Sequence, residues 1–292
     1  MNLSVGDIIG QWKITKFISG HNGGYIYEVC TTITDYNIIG KKLYGRSLWA
    51  MKLKDIRFDD EGQIIIKHNL FNCAYILNIP NDEILFNGRY GNYDWYVIEL
   101  YTDDIGKNIK FVKDNFSKLL ISMCNFLKFL HRERCLVHGD IKLQNVLFKE
   151  DANILFKICD YETIKKPNLS TICREAGYDG YYYYSLGCYP DKSYNTYRMD
   201  LEAFGIILWS VMSSQDDVKI KFTFQQKSWS YYENKNNNDH YYDLNILKEK
   251  DKENMPEIIK KYFEIISFVD WELQIPPNIS VYNKINNLIL NI

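Results

Sequence analysis

His138-Gly139-Asp140-Ile141-Lys142-Leu143-Gln144-Asn145, with Asp160 fifteen positions beyond Asn145, is the stretch on which the reading of this 292-residue chain turns. Asp140 offers a carboxylate that can accept a proton from an attacking hydroxyl, and Lys142 offers an ammonium two positions on. Asn145 and Asp160 are hard oxygen donors of the kind Mg2+ takes. Around them, Val146-Leu147-Phe148 and residues 154–159 are β-prone runs separated by the turn-like Lys149-Glu150-Asp151-Ala152-Asn153. That pattern predicts a hairpin with Asn145 at its start and Asp160 at its end. A base, a cation and two oxygen ligands in this order are what transfer of a phosphoryl group from a nucleotide requires. His138 is expected to brace the loop by hydrogen bonding, leaving Asp140 as the base.

Working outward, residues 12–18 and 25–29 alternate as strands around a glycine-containing turn, Ser19 to Gly24, and residues 47–53 form a third candidate strand. A helix is expected across residues 61–75, and strands near 84–86 and at 95–100. The result is a small sheet-rich lobe ending near residue 101. Beyond it the period changes. Phe116, Leu119, Leu120, Met123, Phe126, Leu127 and Leu130 share one face at 3.6-residue spacing, which predicts a long helix leading to the catalytic run. A second helix is expected over residues 200–212, with Asp200 placed to cap its first turn. Residues 258–269 and 281–290 look like closing helices, and the polar stretch 214–255 reads as a loop-like insertion.

Composition narrows the classes. A net charge of -2 gives no basic field to recruit nucleic acid, and no apolar run approaches the roughly 18 residues of a membrane span. The N-terminus lacks the basic and apolar regions of a signal peptide. Seven cysteines without a CxxC pair suit reduced thiols in an intracellular protein, cytoplasmic or nuclear, and make cysteine-held metal an unfavoured reading. A monomer without a nucleic-acid or membrane partner is the expectation.

Strands first, a lysine on the third strand, a long helix, a catalytic hairpin and then helices is an order that resembles the protein-kinase fold: α+β, bilobal, with a small β-rich N-lobe and a larger helical C-lobe. The chain is read as a single such domain, residues 1–292, with the lobes at about 1–101 and 102–292. It looks closest to the vaccinia-related kinases of the casein-kinase-one group. The features carrying this are Gly139 in His138-Gly139-Asp140, Tyr161 after Asp160, Arg198-Met199-Asp200-Leu201-Glu202, Trp12-Lys13-Ile14 and Phe268-Val269-Asp270-Trp271. The resemblance implies ATP and Mg2+ as cofactors and a serine/threonine protein substrate. It implies Asp140 as base, Lys142 as the phosphate-side cation, and Asn145 and Asp160 as Mg2+ ligands. Lys52 would hold the α- and β-phosphates, Ile98 would be the gatekeeper, and Glu99-Leu100-Tyr101 the hinge that meets adenine. Gly20, Gly23, Gly24, Ile26, Ala50 and Leu147 complete the implied ATP-binding set, while His138 and Asp200 are structural.

Three departures from the family pattern stand out. Ser19 and His21 stand at two family glycine positions. Glu162 replaces the glycine expected after Asp160-Tyr161. The helix glutamate that should pair with Lys52 is Glu61 or is absent, with Gln63 nearby. They leave open a pseudokinase that binds nucleotide or a protein partner with little turnover. Separately, His138-Gly139-Asp140 with Asn145 five residues after Asp140 also resembles the small-molecule phosphotransferases, a reading that Lys142 and the helix from Asp200 to Gly205 disfavour. Ser170 and Thr171 lie where phosphorylation often orders a loop, and Tyr181-Tyr182-Tyr183-Tyr184 reads as packing.

Overall fold

The computed structural model describes residues 3–21, 24–32, 37–38, 41–42, 48–55, 57–58, 64–66, 86–150, 154–160, 164, 166–167, 197–214, 255–269 and 275–288. By Cα proximity the chain divides into two compact units, Met1–Tyr101 and Thr102–Ile292.

In the first unit, strands β1 (Ile8–Ile9), β2 (Trp12–His21), β3 (Gly24–Thr31), β6 (Trp49–Asp55), β9 (Phe86–Tyr90) and β10 (Tyr93–Glu99) make one antiparallel sheet, ordered β1-β2-β3-β6-β10-β9. Alternation separates its faces. Tyr27, Val29, Met51, Leu53, Trp95 and Val97 point to one side and join Ile9, Trp12 and Ile14 in a buried cluster. The register puts Ile26, Lys52 and Tyr96 side by side, and likewise Glu28, Ala50 and Ile98, on the opposite face. Two bulges interrupt the β2–β3 ladder, between Ile14 and Lys16 and between Phe17 and Ser19. At the first, the Thr15 hydroxyl bonds to the Glu28 carbonyl at 3.0 Å and to its carboxylate at 2.7 Å. Strand β2 runs on through His21, which pairs directly with Gly24.

One expectation is overturned here. Within residues 61–75, Ile64–Ile66 is a strand (β8) paired with β7 (Arg57–Phe58), and no helix includes it. Three consecutive β-branched isoleucines favour extended backbone. The rest of that range lies outside the described residues, as do residues 84 and 85. A further short pair joins β4 (Asn37–Ile38) to β5 (Lys41–Lys42).

The second unit opens with β11 (Asp103–Asp104), which pairs with β12 (Val146–Lys149), itself paired with β13 (Leu155–Ile158). Val146, Phe148, Phe156 and Ile158 turn inward, and Leu147, Lys149, Leu155 and Lys157 turn outward. Helix α1 (Ile109–Asp114) ends at Asn115, and α2 (Phe116–Lys128) begins directly after it. Helix α2 buries Phe116, Leu119, Leu120, Met123, Cys124 and Leu127, an i, i+3, i+4 stripe against the core. The α-helical geometry stops at Lys128 and gives way to a π-helical turn, Phe129–Glu133. Cys135, at φ +53°, then leads the chain into the stretch from His138 to Asn145.

Helix α3 (Tyr197–Ser213) is buried nearly all round, as a helix through the middle of a domain must be. Helix α4 (Glu257–Ser267) approaches it closely at Gly205, where an added Cβ would lie 2.8 Å from both Phe263 Cζ and Tyr262 Cε1. Helix α5 (Ile279–Asn287) packs Tyr282 and Ile285 into the same core, with the Asn278 side chain accepting the Ser280 N–H at its start. No helix among the described residues is long and apolar enough to cross a membrane.

Candidate active site

Three devices in the second unit hold Asp140. The first is the backbone before it. Gly139 sits at φ +79°, where a Cβ would be strained, so glycine lets the chain reverse into Asp140. The second is the neighbouring side chains. Asp140 Oδ2 accepts from Lys142 Nζ at 2.7 Å and from Asn145 Nδ2 at 2.9 Å, and Asn145 Nδ2 also bonds to the Asp140 carbonyl at 2.8 Å. Asp140 is 8% exposed, yet its Oδ1 has no hydrogen-bond partner among the described residues. One carboxylate oxygen is therefore saturated and the other is presented. A buried acceptor without a donor is costly.

The third device is the carboxylate of Asp200. It is 2% exposed and accepts three N–H groups: His138 N at 2.6 Å and His131 Nε2 at 3.0 Å on Oδ2, and Gly139 N at 2.9 Å on Oδ1. The expectation that Asp200 caps its helix is thus corrected. It is the fourth residue of α3, inside the helix, and its carboxylate turns away from the helix amides to fasten the catalytic run.

His138 closes the arrangement. The Asp140 N–H meets Nδ1 at 3.3 Å, and Nε2 lies 3.2 Å from the Cys159 carbonyl. An imidazole that accepts at Nδ1 donates from Nε2, which is the neutral tautomer with both nitrogens used. Burial pushes its pKa below the ordinary histidine value, against the opposing pull of the Asp200, Asp140 and Asp160 carboxylates. The ring therefore sits within the field of both Asp140 and Asp160.

The hairpin register brings the second pair of expected residues together. Val146 pairs with Ile158, and the Cys159 N–H donates to the Asn145 carbonyl at 2.8 Å, so Asp160 follows one residue beyond the position opposite Asn145. Asp160 adopts φ +66°, which Asp tolerates better than most residues. Asn145 spends its amide hydrogens on Asp140, so its carbonyl oxygen is the end of that side chain suited to a cation. That oxygen and the Asp160 carboxylate are both hard donors of the kind Mg2+ takes.

In the first unit, Ile26, Ala50, Lys52 and Ile98 share the sheet face opposite the core cluster. Glu99 ends β10, with Leu100 and Tyr101 directly after it, and Leu147 is on the outward face of β12. Gly24 pairs with His21, and Gly20 pairs with Tyr25, so Gly20 lies within the strand and not at a loop tip. A Cβ on Gly20 would meet Tyr25 Cδ1 at 2.9 Å. Gly23, Glu61, Gln63, Tyr161, Glu162, Ser170, Thr171, Tyr181 to Tyr184 and residues 215–254 lie outside the described residues.

Two groups escaped the sequence reading: His131 and Tyr282, joined at 2.7 Å between Nδ1 and the hydroxyl. A signal for the first was present. His131 continues the buried stripe of Leu127 and Leu130 by i+4 and i+1, so it is a polar ring on an apolar face.

Comparison with known proteins gives one family match: residues 86–279 fit the model described as Protein kinase domain. A human lymphokine-activated killer T-cell-originated protein kinase is 32% identical over 130 residues, covering 39% of this chain and 40% of that protein. A probable serine/threonine-protein kinase of Dictyostelium discoideum is 31% identical over 136 residues, 44% of this chain and 14% of that protein. A probable LRR receptor-like serine/threonine-protein kinase of Arabidopsis thaliana is 29% identical over 129 residues, 42% of this chain and 12% of that protein. Each match therefore spans well under half the length of the relative concerned.

Proposed function

The chain belongs to the protein kinase domain family, and from that premise we propose that it transfers the γ-phosphoryl group of ATP to serine or threonine hydroxyls of a protein, as a member of the vaccinia-related branch of the casein-kinase-one group. One observation carries the proposal: the buried Asp140 carboxylate, with Oδ2 held by Lys142 and Asn145 and Oδ1 left without a partner among the described residues. Oδ1 accepts the hydroxyl proton as the substrate oxygen attacks phosphorus. Lys142 Nζ lies 2.7 Å from the same carboxylate and supplies positive charge to the phosphoryl oxygens. The Asn145 carbonyl oxygen and the Asp160 carboxylate would hold Mg2+, which when bound neutralises phosphate charge. Lys52 would take the α- and β-phosphates, with Gly20, Gly23, Gly24, Ile26, Ala50, Leu147 and the segment from Ile98 to Tyr101 lining the nucleotide. The named serine/threonine kinases among the relatives support the choice of hydroxyl. An intracellular setting is part of the proposal, supported by seven cysteines with no CxxC pair, a pattern that suits reduced thiols.

The deciding experiment is phosphate incorporation from labelled ATP with Mg2+ into a protein acceptor, for wild type and Asp140→Asn. Loss of the base lowers transfer by about 10²–10⁴-fold. Equal transfer by the two proteins defeats the proposal. A second reading, nucleotide binding with little turnover, is favoured by Ser19 and His21. Both are committed to the β2–β3 ladder where backbone would have to approach phosphate closely. An ATP-induced thermal shift abolished by Lys52→Met, with no transfer by wild type, would select it.

A further inference from the structure

We propose that the Tyr282 hydroxyl, in the last described helix, is a positioning group for phosphoryl transfer: it holds the catalytic run in place through His131 and Asp200. The inference rests on the kinase reading above and adds a control point that lies outside the reacting groups.

The connection is continuous and dry. Tyr282 and His131 are both 0% exposed, and the hydroxyl lies 2.7 Å from His131 Nδ1. The other ring nitrogen, Nε2, is 3.0 Å from Asp200 Oδ2. That oxygen accepts the His138 N–H, and its twin accepts the Gly139 N–H. The ring is wedged further by Tyr197, whose centroid lies 5.0 Å away. Tyr282 itself is fixed by its helix and by the Cys124 thiol, which donates to its carbonyl at 3.4 Å.

Proton accounting gives the chain a direction. Burial pushes the Tyr282 phenol far above its ordinary pKa, so it keeps its proton and can donate. A carboxylate can only accept, so the nitrogen facing Asp200 must carry hydrogen. In the neutral ring, Tyr282 donates to Nδ1, His131 donates from Nε2, and Asp200 accepts. Each bond therefore dictates the polarity of the next. Without the hydroxyl, Nδ1 becomes a buried acceptor with no donor. Moving the proton to Nδ1 would then turn a lone pair on Nε2 toward a carboxylate. Either outcome weakens one of the three bonds that fix Asp200, and Asp200 fixes Gly139 directly before Asp140.

The test compares wild type, Tyr282→Phe and Asn278→Ala. The first variant keeps the ring and removes only the hydroxyl. The second removes the side-chain cap of the same helix without touching the relay. We expect Tyr282→Phe to accelerate hydrogen exchange of the His138 and Gly139 amides about tenfold, the weight of one buried hydrogen bond. The Val146 to Lys149 strand should keep its protection, and kcat should fall about tenfold with KM for ATP unchanged. Nitrogen shifts of the His131 ring should report Nε2–H in wild type and a mixed tautomer in the variant. Asn278→Ala should lower Tm with kcat and Gly139 exchange unchanged. The relay is overturned if Tyr282→Phe leaves Gly139 exchange and kcat at wild-type values. It is equally overturned if exchange rises evenly through the unit, which is what a purely structural loss would produce. A wild-type chain that transfers no phosphate sinks the kinase reading and with it the catalytic leg. The exchange and tautomer results then still decide whether Tyr282 anchors the loop.

Discussion

Replacing Asp200 by Asn tests how the catalytic run is held, because the substitution preserves shape and changes only charge and one acceptor. In the native site, Oδ2 takes two N–H groups, at 2.6 and 3.0 Å, and Oδ1 takes one at 2.9 Å. An asparagine serves the doubly bonded position best by placing its carbonyl oxygen there. Its NH2 group then faces the Gly139 N–H, donor against donor. One charge-assisted bond is lost outright, worth about 1.5–3 kcal/mol, and a half-buried amide is left unsatisfied at about 1–3 kcal/mol. The two remaining bonds also lose their ionic character. The expected loss of stability is therefore about 3–5 kcal/mol, a large part of the roughly 5–15 kcal/mol that holds a typical domain. Urea unfolding followed by far-ultraviolet circular dichroism measures it, with hydrogen exchange at Gly139 as the local readout. A loss below about 1 kcal/mol, the range of a surface change, would refute the claim that this carboxylate anchors the loop.

Other outcomes follow from single distances and angles. Gly205→Ala should destabilise by about 1–3 kcal/mol in thermal unfolding, because its Cβ would press on Phe263 and Tyr262 at 2.8 Å and overpacking outweighs alanine's helix preference. Gly139→Ala forces a side chain into φ +79° at a cost of about 1–2 kcal/mol and should reduce phosphate transfer more than it reduces ATP binding, measured by kinetics beside thermal shift. His138 is held below its ordinary value of 6.5, so as pH falls through 6.5 the unfolded chain gains a proton that the folded chain refuses. Stability should therefore drop from pH 6.5 downward until the folded pKa is reached, and His138→Gln should flatten that slope in urea titrations at stepped pH.

Periodicity made some of this legible and tertiary pairing hid the rest. The hairpin of β12 and β13 could be read because Val146 and Phe148, then Phe156 and Ile158, alternate inward around a turn. Helix α2 could be read because its buried residues fall at 3.6-residue spacing. Ile64–Ile66 misled because a three-residue apolar run has no period of its own, and only pairing with Arg57–Phe58 makes it a strand. Asp200 misled for a different reason. An acidic residue near the start of a helical pattern signals a cap, and nothing local tells that its acceptors serve amides 61 and 62 positions earlier. The contact between His131 and Tyr282 spans 151 positions and is equally invisible to local rules.

The polar groups of the second unit make little sense as stabilisers alone. His131, His138, Asp140, Asn145 and Asp200 are all buried. Charges withdrawn from water recover at best the cost of their desolvation, and an apolar set of the same volume would often be as stable. What such a cluster provides that an apolar core cannot is direction. Asp200 sets the amides of His138 and Gly139, Gly139 sets the entry to Asp140, and Lys142 with Asn145 fixes which oxygen of Asp140 is occupied. The atom at the end of that sequence, Oδ1, has no hydrogen-bond partner among the described residues. On the proposed kinase reading, a fold that spends several buried polar groups on orienting that unsatisfied acceptor stores its cost where a substrate proton would relieve it, which is preorganisation in the sense that catalysis requires.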